Sequence, residues 1–161
     1  MSTADAPERA IPRIDGPAPR LLLIQAPYYA AVVGGMRAGV EEVAAQAGAS
    51  LEVVDVAGAF ELPAALRMAL STGEDRWDAY VLLGCVVRGE TDHYDHICRE
   101  SMAGIMALTA ATGAAVGCGL LTVHSLAQAE ARAEPGPHNK GAEAAIAALL
   151  QLGLRRRWGV A

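Results

Sequence analysis

The sequence predicts an α/β fold, a three-layer α/β/α sandwich built on a four-stranded parallel sheet. Four short runs of the chain are continuously apolar, as expected of strands that are covered on both faces. The segments that follow these runs carry apolar residues at helical spacing. Because a helix that joins two parallel strands forms a right-handed crossover, this alternation indicates the flavodoxin-like arrangement in one domain.

The first half of the chain contains two strand–helix units. Residues 21–25 are a predicted strand, and residues 30–47 are a predicted helix with an apolar stripe. Residues 51–56 are the second strand. Residues 62–70 form the next helix, because Pro63 is tolerated in the first turn of a helix.

The second half repeats this alternation. Residues 79–87 are the third strand, and residues 114–122 are the fourth. Residues 101–123 carry no charged side chain, but Thr and Gly interrupt them in the middle, which argues against a membrane span. Two helices follow, over residues 126–133 and 142–152. The apolar face of the helix between the third and fourth strands is formed by Ile97, Ser101, Ile105 and Leu108.

Both ends of the chain are predicted to lie outside the domain, which covers residues 20–153. Residues 1–19 contain scattered Pro and charged residues without the apolar core of a signal peptide, so we expect a flexible leader. Residues 154–161 are predicted to form a basic C-terminal tail, in which Arg155, Arg156 and Arg157 face solvent.

Composition excludes several classes of function. The net charge of -5 and the absence of a basic face argue against nucleic acid as a partner. Three cysteines without a CxxC pair are an odd number, which argues against a disulfide framework and favours a cytoplasmic protein.

Polar or turn-rich segments follow all four predicted strands. They cover residues 26–29, 58–61, 88–93 and 122–125. Because ligands of such sheets bind beyond the carboxyl ends of the strands, we expect these four segments to form one site.

The stretch GCVVRGETDHYDH, residues 84–96, carries the most chemistry. Gly89 permits a sharp turn, and Thr91 or Asp92 can cap the next helix. The N–H groups of Glu90, Thr91 and Asp92 would then face one point with the helix dipole behind them, which suits a phosphate. His93 lies in the first helical turn, where the positive helix end favours the neutral imidazole and thus a general base.

Two other readings of this stretch stay open on the residues alone. Thr91, Asp92 and His93 can serve as a helix cap without catalysis. His93 and His96 can also contribute to a metal site, although no HExxH pattern and no distant Cys/His pair accompanies them.

Four further side chains are candidates for ligand binding. Glu61 stands at a helix start, where the helix dipole stabilises a carboxylate that could hydrogen-bond to ligand hydroxyls. Tyr28 follows a buried strand and could stack on a planar ligand. Arg132 and Lys140 flank the PGPHN loop and offer charge for a phosphate, although each alone is more typical of a solvated helix-end cation.

Three motifs give the chain a resemblance to a known family. They are GAFELP at residues 58–63, RGETDHYD at residues 88–95 and HNKGAEAA at residues 138–145. In order and spacing they resemble lumazine synthase, over nearly the whole chain except its two ends. That family condenses 5-amino-6-(D-ribitylamino)uracil with 3,4-dihydroxy-2-butanone 4-phosphate to 6,7-dimethyl-8-ribityllumazine, with loss of phosphate and water, and it needs no metal or organic cofactor.

The resemblance implies a role for each candidate residue. Tyr28 would stack on the pyrimidine ring, the Ala59 backbone and the Glu61 carboxylate would hold the ribityl chain, and His93 would transfer protons. The phosphate would be bound by Glu90, Thr91 and Arg132. The resemblance implies that Arg132 and His93 are the two catalytic residues. The implied substrate-binding residues are Tyr28, Ala59, Phe60, Glu61, Val86, Val87, Cys118 and Lys140.

The resemblance also predicts partners and one weak wall of the pocket. Cys118 stands where many members place an aromatic residue that closes the pocket from the neighbouring subunit. The segment 132–140 has no insertion, which favours a 60-subunit icosahedral shell, while a homopentamer with sites between adjacent subunits is the safer expectation. Riboflavin synthase is a candidate protein partner. A non-catalytic flavin- or lumazine-binding protein, or a shell-forming one, is the alternative function.

Overall fold

The computed structural model describes residues 10–72 and 76–160, which fold into four strands and five helices. A short 3-10 turn, Ala59–Glu61, precedes the second helix. The elements in chain order are β1 (Arg20–Gln25), α1 (Ala30–Gln46), β2 (Ser50–Asp55), α2 (Leu62–Ala69), β3 (Ala79–Val87), α3 (His93–Thr112), β4 (Val116–Val123), α4 (Leu126–Glu130) and α5 (Lys140–Trp158).

The four strands form one parallel sheet in the order β2-β1-β3-β4. One hydrophobic cluster on the α1 and α5 face includes Leu23, Val33 and Leu149. A second cluster on the other face includes Leu22 and Leu66. The predicted three-layer, flavodoxin-like sandwich with a four-stranded parallel sheet is therefore confirmed.

The apolar segments become the structure that the sequence predicts, with one exception in the sheet. β3 has its first seven residues buried, as expected of a central strand. β2 alternates between exposed and half-buried positions, because it lies at an edge of the sheet. The uncharged segment 101–123 divides into the end of α3, a turn at Gly113 in the left-handed region and β4. Across residues 10–72 and 76–160, no helix is both long and apolar enough to cross a bilayer.

The C-terminal helix is longer than predicted at both ends. α5 runs to Trp158, so Arg155, Arg156 and Arg157 lie in its last turn, and their assignment to a separate basic tail is wrong. The guanidinium group of Arg155 donates to the carbonyl oxygen of Gly113, and that of Arg156 donates to those of Asp15 and Pro17 at 2.9 and 2.8 Å. Positive charge at a helix C-terminus also interacts favourably with the helix dipole.

Part of the predicted flexible leader packs against the domain. Ile11 and Ile14 are half-buried against the cluster formed by α1 and α5. Because Arg156 also holds the backbone of residues 15–17, residues 10–19 are in contact with the domain instead of forming a free segment. Residues 1–9 of the predicted leader lie outside the described residues.

Asn139 connects three parts of the chain at the start of α5. Its side chain is 3% exposed, and its Oδ1 accepts hydrogen bonds from the backbone N–H groups of Gly141 and Ala142 at 2.9 and 3.0 Å. Its Nδ2 donates to the carbonyl oxygen of Gly35 in α1 and to those of Ala133 and Glu134, at 3.0–3.1 Å. This cap moves the start of α5 forward from the predicted residue 142 to Lys140, and it holds the 131–139 loop in place.

Glycines allow α5 to approach its neighbours closely. A Cβ atom on Gly141 would overlap with the carbonyl oxygen of Met36 in α1, and one on Gly117 would overlap with the carbonyl oxygen of Ala144. Gly117 and Gly119 are therefore packing residues of β4.

We predict that Gly141→Ala lowers the free energy of unfolding by about 1–3 kcal/mol, since α1 and α5 must separate to admit the methyl group. Gly34→Ala is the matched control in α1, because its Cβ would meet nothing within 4 Å. That control should gain about 0.5–1 kcal/mol from the lower backbone entropy of the unfolded chain. Urea unfolding followed by circular dichroism at one protein concentration measures both effects, and equal effects of the two substitutions would contradict the packing argument.

Candidate active site

A cavity of about 590 Å³ lies beyond the carboxyl ends of β1, β2 and β3. This volume is in the range of sites that bind small molecules. Three of the four predicted polar segments contribute to it, but the segment 122–125 after β4 does not. The lining residues are Tyr28, Tyr29, Ala57, Gly58, Ala59, Phe60, Glu61, Cys85, Val86, Val87, Gly89, Thr91, His93, Tyr94 and Ile97.

Most of the candidate residues meet in this cavity. These residues come from four separate parts of the chain, yet all of them border the same space. The set comprises Tyr28, Ala59, Phe60, Glu61, Val86, Val87, Thr91 and His93.

The aromatic wall of the cavity is open to the surface. Tyr28 is 77% exposed and Phe60 is 64% exposed, although both are large aromatic side chains. Tyr29 lies edge-on against Tyr28, with ring centroids 5.4 Å apart. Two exposed rings beside a concave space are well placed to stack on a planar ligand.

The 3-10 turn Ala59–Glu61 brings a carboxylate to the cavity. The N–H of Glu61 donates to the carbonyl oxygen of Gly58 at 3.2 Å, which closes the turn. A Cβ atom on Gly58 would lie 3.3 Å from Oε2 of Glu61, so the glycine leaves room for the carboxylate beside the backbone. A carboxylate in this position can accept hydrogen bonds from ligand hydroxyl groups.

The turn before α3 presents unbonded backbone donors. Within the described residues, the N–H groups of Glu90, Thr91 and Asp92 donate no hydrogen bond. Asp92 occupies the N-cap position, but its side chain makes no capping hydrogen bond, so the predicted cap exists in position only. Thr91 lines the cavity, whereas Glu90 does not.

The turn at Gly89 is made without a left-handed backbone. The glycines with positive φ in the described residues are Gly16, Gly48, Gly113, Gly136 and Gly159, so the turn at Gly89 does not use a conformation that is restricted to glycine. No atom lies within 4 Å of a Cβ built on Gly89. The absence of a side chain there widens the cavity that Gly89 lines.

The two histidines of this stretch face different surroundings. His93, the first residue of α3, is exposed and lines the cavity. Nδ1 of His96 lies 3.1 Å from Nη2 of Arg99, one turn further along α3. In the part of the chain that the structure describes, no group of three or more His, Cys, Asp or Glu side chains is arranged to hold a metal ion.

Tyr94 is a cavity residue that the sequence reading missed. The guanidinium of Arg88 lies 5.4 Å from the centre of its ring, and the ring of His124 meets it edge-on at 6.1 Å. Burial raises the pKa of Tyr94, and the neighbouring Cys98 adds to the shift. The sequence feature that could have predicted it is its position next to His93, in the first turn of α3.

Besides Glu90, three candidate residues do not line the cavity. Cys118 and Lys140 border a smaller hollow of about 210 Å³ beside the edge strand β4. Nζ of Lys140 lies 2.7 Å from both carboxylate oxygens of Glu143. Arg132 is next to Lys140, since its carbonyl oxygen accepts the Lys140 N–H at 2.9 Å, and its guanidinium donates to the carbonyl oxygen of Gln128 at 2.8 Å.

Comparison with known proteins identifies the family. A family model described as 6,7-dimethyl-8-ribityllumazine synthase matches residues 18–156. The chain belongs to this family. A protein of that name from Paramagnetospirillum magneticum is 41% identical over 146 residues, which cover 88% of this chain and 97% of that protein. One from Novosphingobium aromaticivorans is 44% identical over 139 residues, covering 86% and 98%. One from Methylobacterium radiotolerans is 44% identical over 151 residues, covering 94% and 90%.

Membership of the lumazine synthase family confirms the resemblance carried by the three sequence motifs. Two of these motifs, GAFELP and RGETDHYD, border the cavity. The third, HNKGAEAA, contains Asn139 and Lys140 and forms the start of α5. The family motifs thus divide between the cavity and the hollow beside β4.

Cys85 gives the cavity an apolar surface at the end of β3. The side chain is 5% exposed, and burial raises the pKa of its thiol to about 11. A raised thiol pKa means that the neutral form persists to higher pH, so this sulfur is neither a nucleophile nor a charged ligand near neutral pH.

We predict that Cys85 resists alkylation until the pH approaches 11, because only about one thiol in a thousand is ionised at pH 8. The rate of carbamidomethylation by iodoacetamide, followed by mass spectrometry in a Cys98→Ser, Cys118→Ser background, measures this directly. A free cysteine peptide is the control. If Cys85 and the free peptide reached half-maximal reactivity at the same pH, the thiol of Cys85 would not be shielded by burial.

Proposed function

We propose that this chain catalyses the condensation of 5-amino-6-(D-ribitylamino)uracil with 3,4-dihydroxy-2-butanone 4-phosphate to 6,7-dimethyl-8-ribityllumazine. The observation that carries this proposal is the placement of His93 at the start of α3 in the same cavity as Tyr28 and Glu61. A base, an aromatic surface and a carboxylate in one concave space are what this pair of substrates requires, and the chain belongs to the family that carries this name.

The ribitylaminouracil binds along the aromatic side of the cavity. The exposed ring of Tyr28 stacks on the pyrimidine, with Phe60 beside it. The ribityl hydroxyl groups donate to the Glu61 carboxylate and meet the backbone at Ala59. The ends of β3, at Val86 and Val87, form the floor of this half of the site.

The butanone phosphate binds at the start of α3. The unbonded N–H groups of Glu90, Thr91 and Asp92 lie at the positive end of a helix of 20 residues, which favours a phosphate group. Arg132 supplies the charge that these amides lack, through a bidentate geometry that suits a phosphate.

His93 moves the protons of the reaction. The amine nitrogen at C5 of the pyrimidine attacks the ketone carbon of the butanone, and loss of one water molecule gives an imine. A proton then leaves the carbon beside the imine as the C–O bond to phosphate breaks, and the phosphate remains at the amides of the α3 turn. The second ring closes with loss of another water molecule. His93 accepts and returns protons in these steps, and the fixed orientation of the two substrates contributes the rest of the acceleration.

The site is completed by an adjacent subunit of a homopentamer. Lys140 and Cys118 lie beside β4, and Arg132 is next to Lys140, so all three are apart from the cavity of their own chain. The cavity itself is open at Tyr28 and Phe60. A neighbouring copy that places its β4 edge over this opening would bring Arg132 to the phosphate. The uninterrupted 132–140 segment favours assembly of pentamers into a 60-subunit shell. We place the protein in the cytoplasm, with riboflavin synthase as a candidate partner.

We predict that His93→Ala slows turnover by about ten- to a thousandfold while the circular dichroism spectrum stays unchanged. His96→Ala is the matched control, since His96 lies on the same helix but contacts Arg99. The assay mixes purified protein with the two substrates and follows lumazine fluorescence above the uncatalysed rate. Equal rates for wild type and His93→Ala would remove His93 from proton transfer, and lumazine binding without any turnover by wild type would favour a non-catalytic binder.

We predict that Arg132→Ala raises the KM for the butanone phosphate, whereas Arg99→Ala on the exposed face of α3 leaves it unchanged.

Mixed oligomers test the shared site. When His93→Ala and Arg132→Ala chains are unfolded, mixed in equal amounts and refolded together, about a quarter of the interfaces should hold an intact His93 and an intact Arg132. Recovery of activity above either parent is the expected result, and no recovery in oligomers shown to be mixed would place both residues in one chain's site.

A further inference from the structure

Ser101 is one of three polar side chains buried in the described residues, together with Gln25 and Asn139. It lies in α3, two turns after His93, and is 1% exposed. His93, Ile97 and Ser101 are spaced four residues apart and therefore follow one face of the helix. The first two line the cavity, whereas Ser101 does not.

The hydroxyl group of Ser101 ends at the turn that carries Glu61. Its Oγ donates to the carbonyl oxygen of Ala59 at 3.0 Å. The same carbonyl oxygen accepts the N–H of Leu62, which closes the 3-10 turn. Both acceptor positions of this oxygen are thus occupied, one by the turn itself and one by α3.

A close contact one turn later strengthens this connection. A Cβ atom on Gly104 would lie 2.9 Å from Cβ of Pro63, so α3 approaches the start of α2 more closely than any other residue would allow. Ser101 and Gly104 are three residues apart and share a helix face. Together they hold α3 against the segment 59–63.

The hydrogen bond to Ala59 fixes a peptide plane in the cavity wall. The peptide between Ala59 and Phe60 is planar and trans, so its N–H points opposite to its carbonyl. With the carbonyl directed at Ser101, the Phe60 N–H points away from α3. The direction of this peptide and the position of Glu61 therefore depend on a hydroxyl group that the ligand never touches.

We propose that Ser101 is a positioning residue for the polyhydroxyl chain of the substrate, acting through the Ala59 carbonyl and the Glu61 turn. The inference rests on the proposed function, because it assigns the ribityl chain to this turn. It adds a residue outside the cavity that tunes recognition of the hydroxyl groups and leaves the stacking surface at Tyr28 unaffected.

The test compares two ligands that share the ring system. One is 6,7-dimethyl-8-ribityllumazine, and the other is 6,7,8-trimethyllumazine, in which a methyl group replaces the ribityl chain. Ser101→Ala should weaken binding of the ribityl compound by about fivefold, the loss expected for one hydrogen bond. Binding of the trimethyl compound should change less than about twofold, because it does not reach the Glu61 turn. Fluorescence titration measures both.

Three further variants and a kinetic readout keep the outcome decisive. Ser101→Cys retains size with a weaker donor and should fall between wild type and Ser101→Ala. Ser101→Thr retains the hydroxyl and should restore affinity. Thr109→Val removes a hydroxyl from the same helix that bonds only to Ile105 in its own turn, and should behave as wild type. In turnover, Ser101→Ala should raise the KM for the ribitylaminouracil about fivefold and leave the KM for the butanone phosphate unchanged.

The results separate the two proposals. Selective loss of the ribityl compound supports the positioning role. Equal loss of both lumazines, or no loss of either, in a wild-type background that turns over the two substrates, would overturn the inference and leave the proposed function intact. A wild-type chain that neither turns over the substrates nor binds either lumazine would remove the proposed function and this inference with it.

Discussion

The parallel register of β1 and β3 is the constraint on which the site depends. Gln25, the last residue of β1, pairs with Leu83, so β3 extends four residues further before Arg88. The chain therefore leaves β3 four residues further along the strand direction than it leaves β1. Tyr28, which follows β1, and Thr91, in the turn that follows β3, both line the cavity. Antiparallel strands would send the same segments to opposite edges.

A second layer of order comes from polar groups buried among small residues. Asn139 caps α5 and holds the preceding loop, so Arg132 and Lys140 are presented by a fixed scaffold although they flank a loop with two prolines. Ser101 acts similarly on the opposite face of the sheet. Each of these side chains makes its bonds to backbone carbonyls or N–H groups, whose positions cannot be changed by choosing another rotamer. Buried polar groups satisfied in this way favour one arrangement over its competitors.

Local pattern predicted the sheet and most of the cavity, and long-range contacts account for what it missed. The strands and the start of α1 follow from apolar runs and spacing, and the convergence of three polar segments follows from topology.

The C-terminal helix exceeds its predicted length because Arg155 and Arg156 contact residues more than forty positions away. Its early start depends on Asn139, which also donates to the carbonyl oxygen of Gly35 in α1, more than a hundred positions away. The separation of Cys118, Arg132 and Lys140 from the cavity is invisible to a pattern in one chain, because sequence motifs do not say whether two segments meet within a subunit or between subunits.

The close helix contacts create positions outside the cavity at which the protein tolerates no larger residue. Gly39, Gly117 and Gly141 take part in no chemistry, yet any side chain at these positions would collide with Asn139, Ala144 or Met36. A saturation mutagenesis map of the chain would mark them as strictly as His93, and a drift towards larger residues would be blocked at both kinds of position. Intolerant positions in such a map therefore belong to two groups. Residues of the first are needed for the packing of helices on the sheet, and residues of the second are needed for the proposed reaction. Only substitutions in the first group would also lower the amount of folded protein, so a stability readout of the same variants would separate the two.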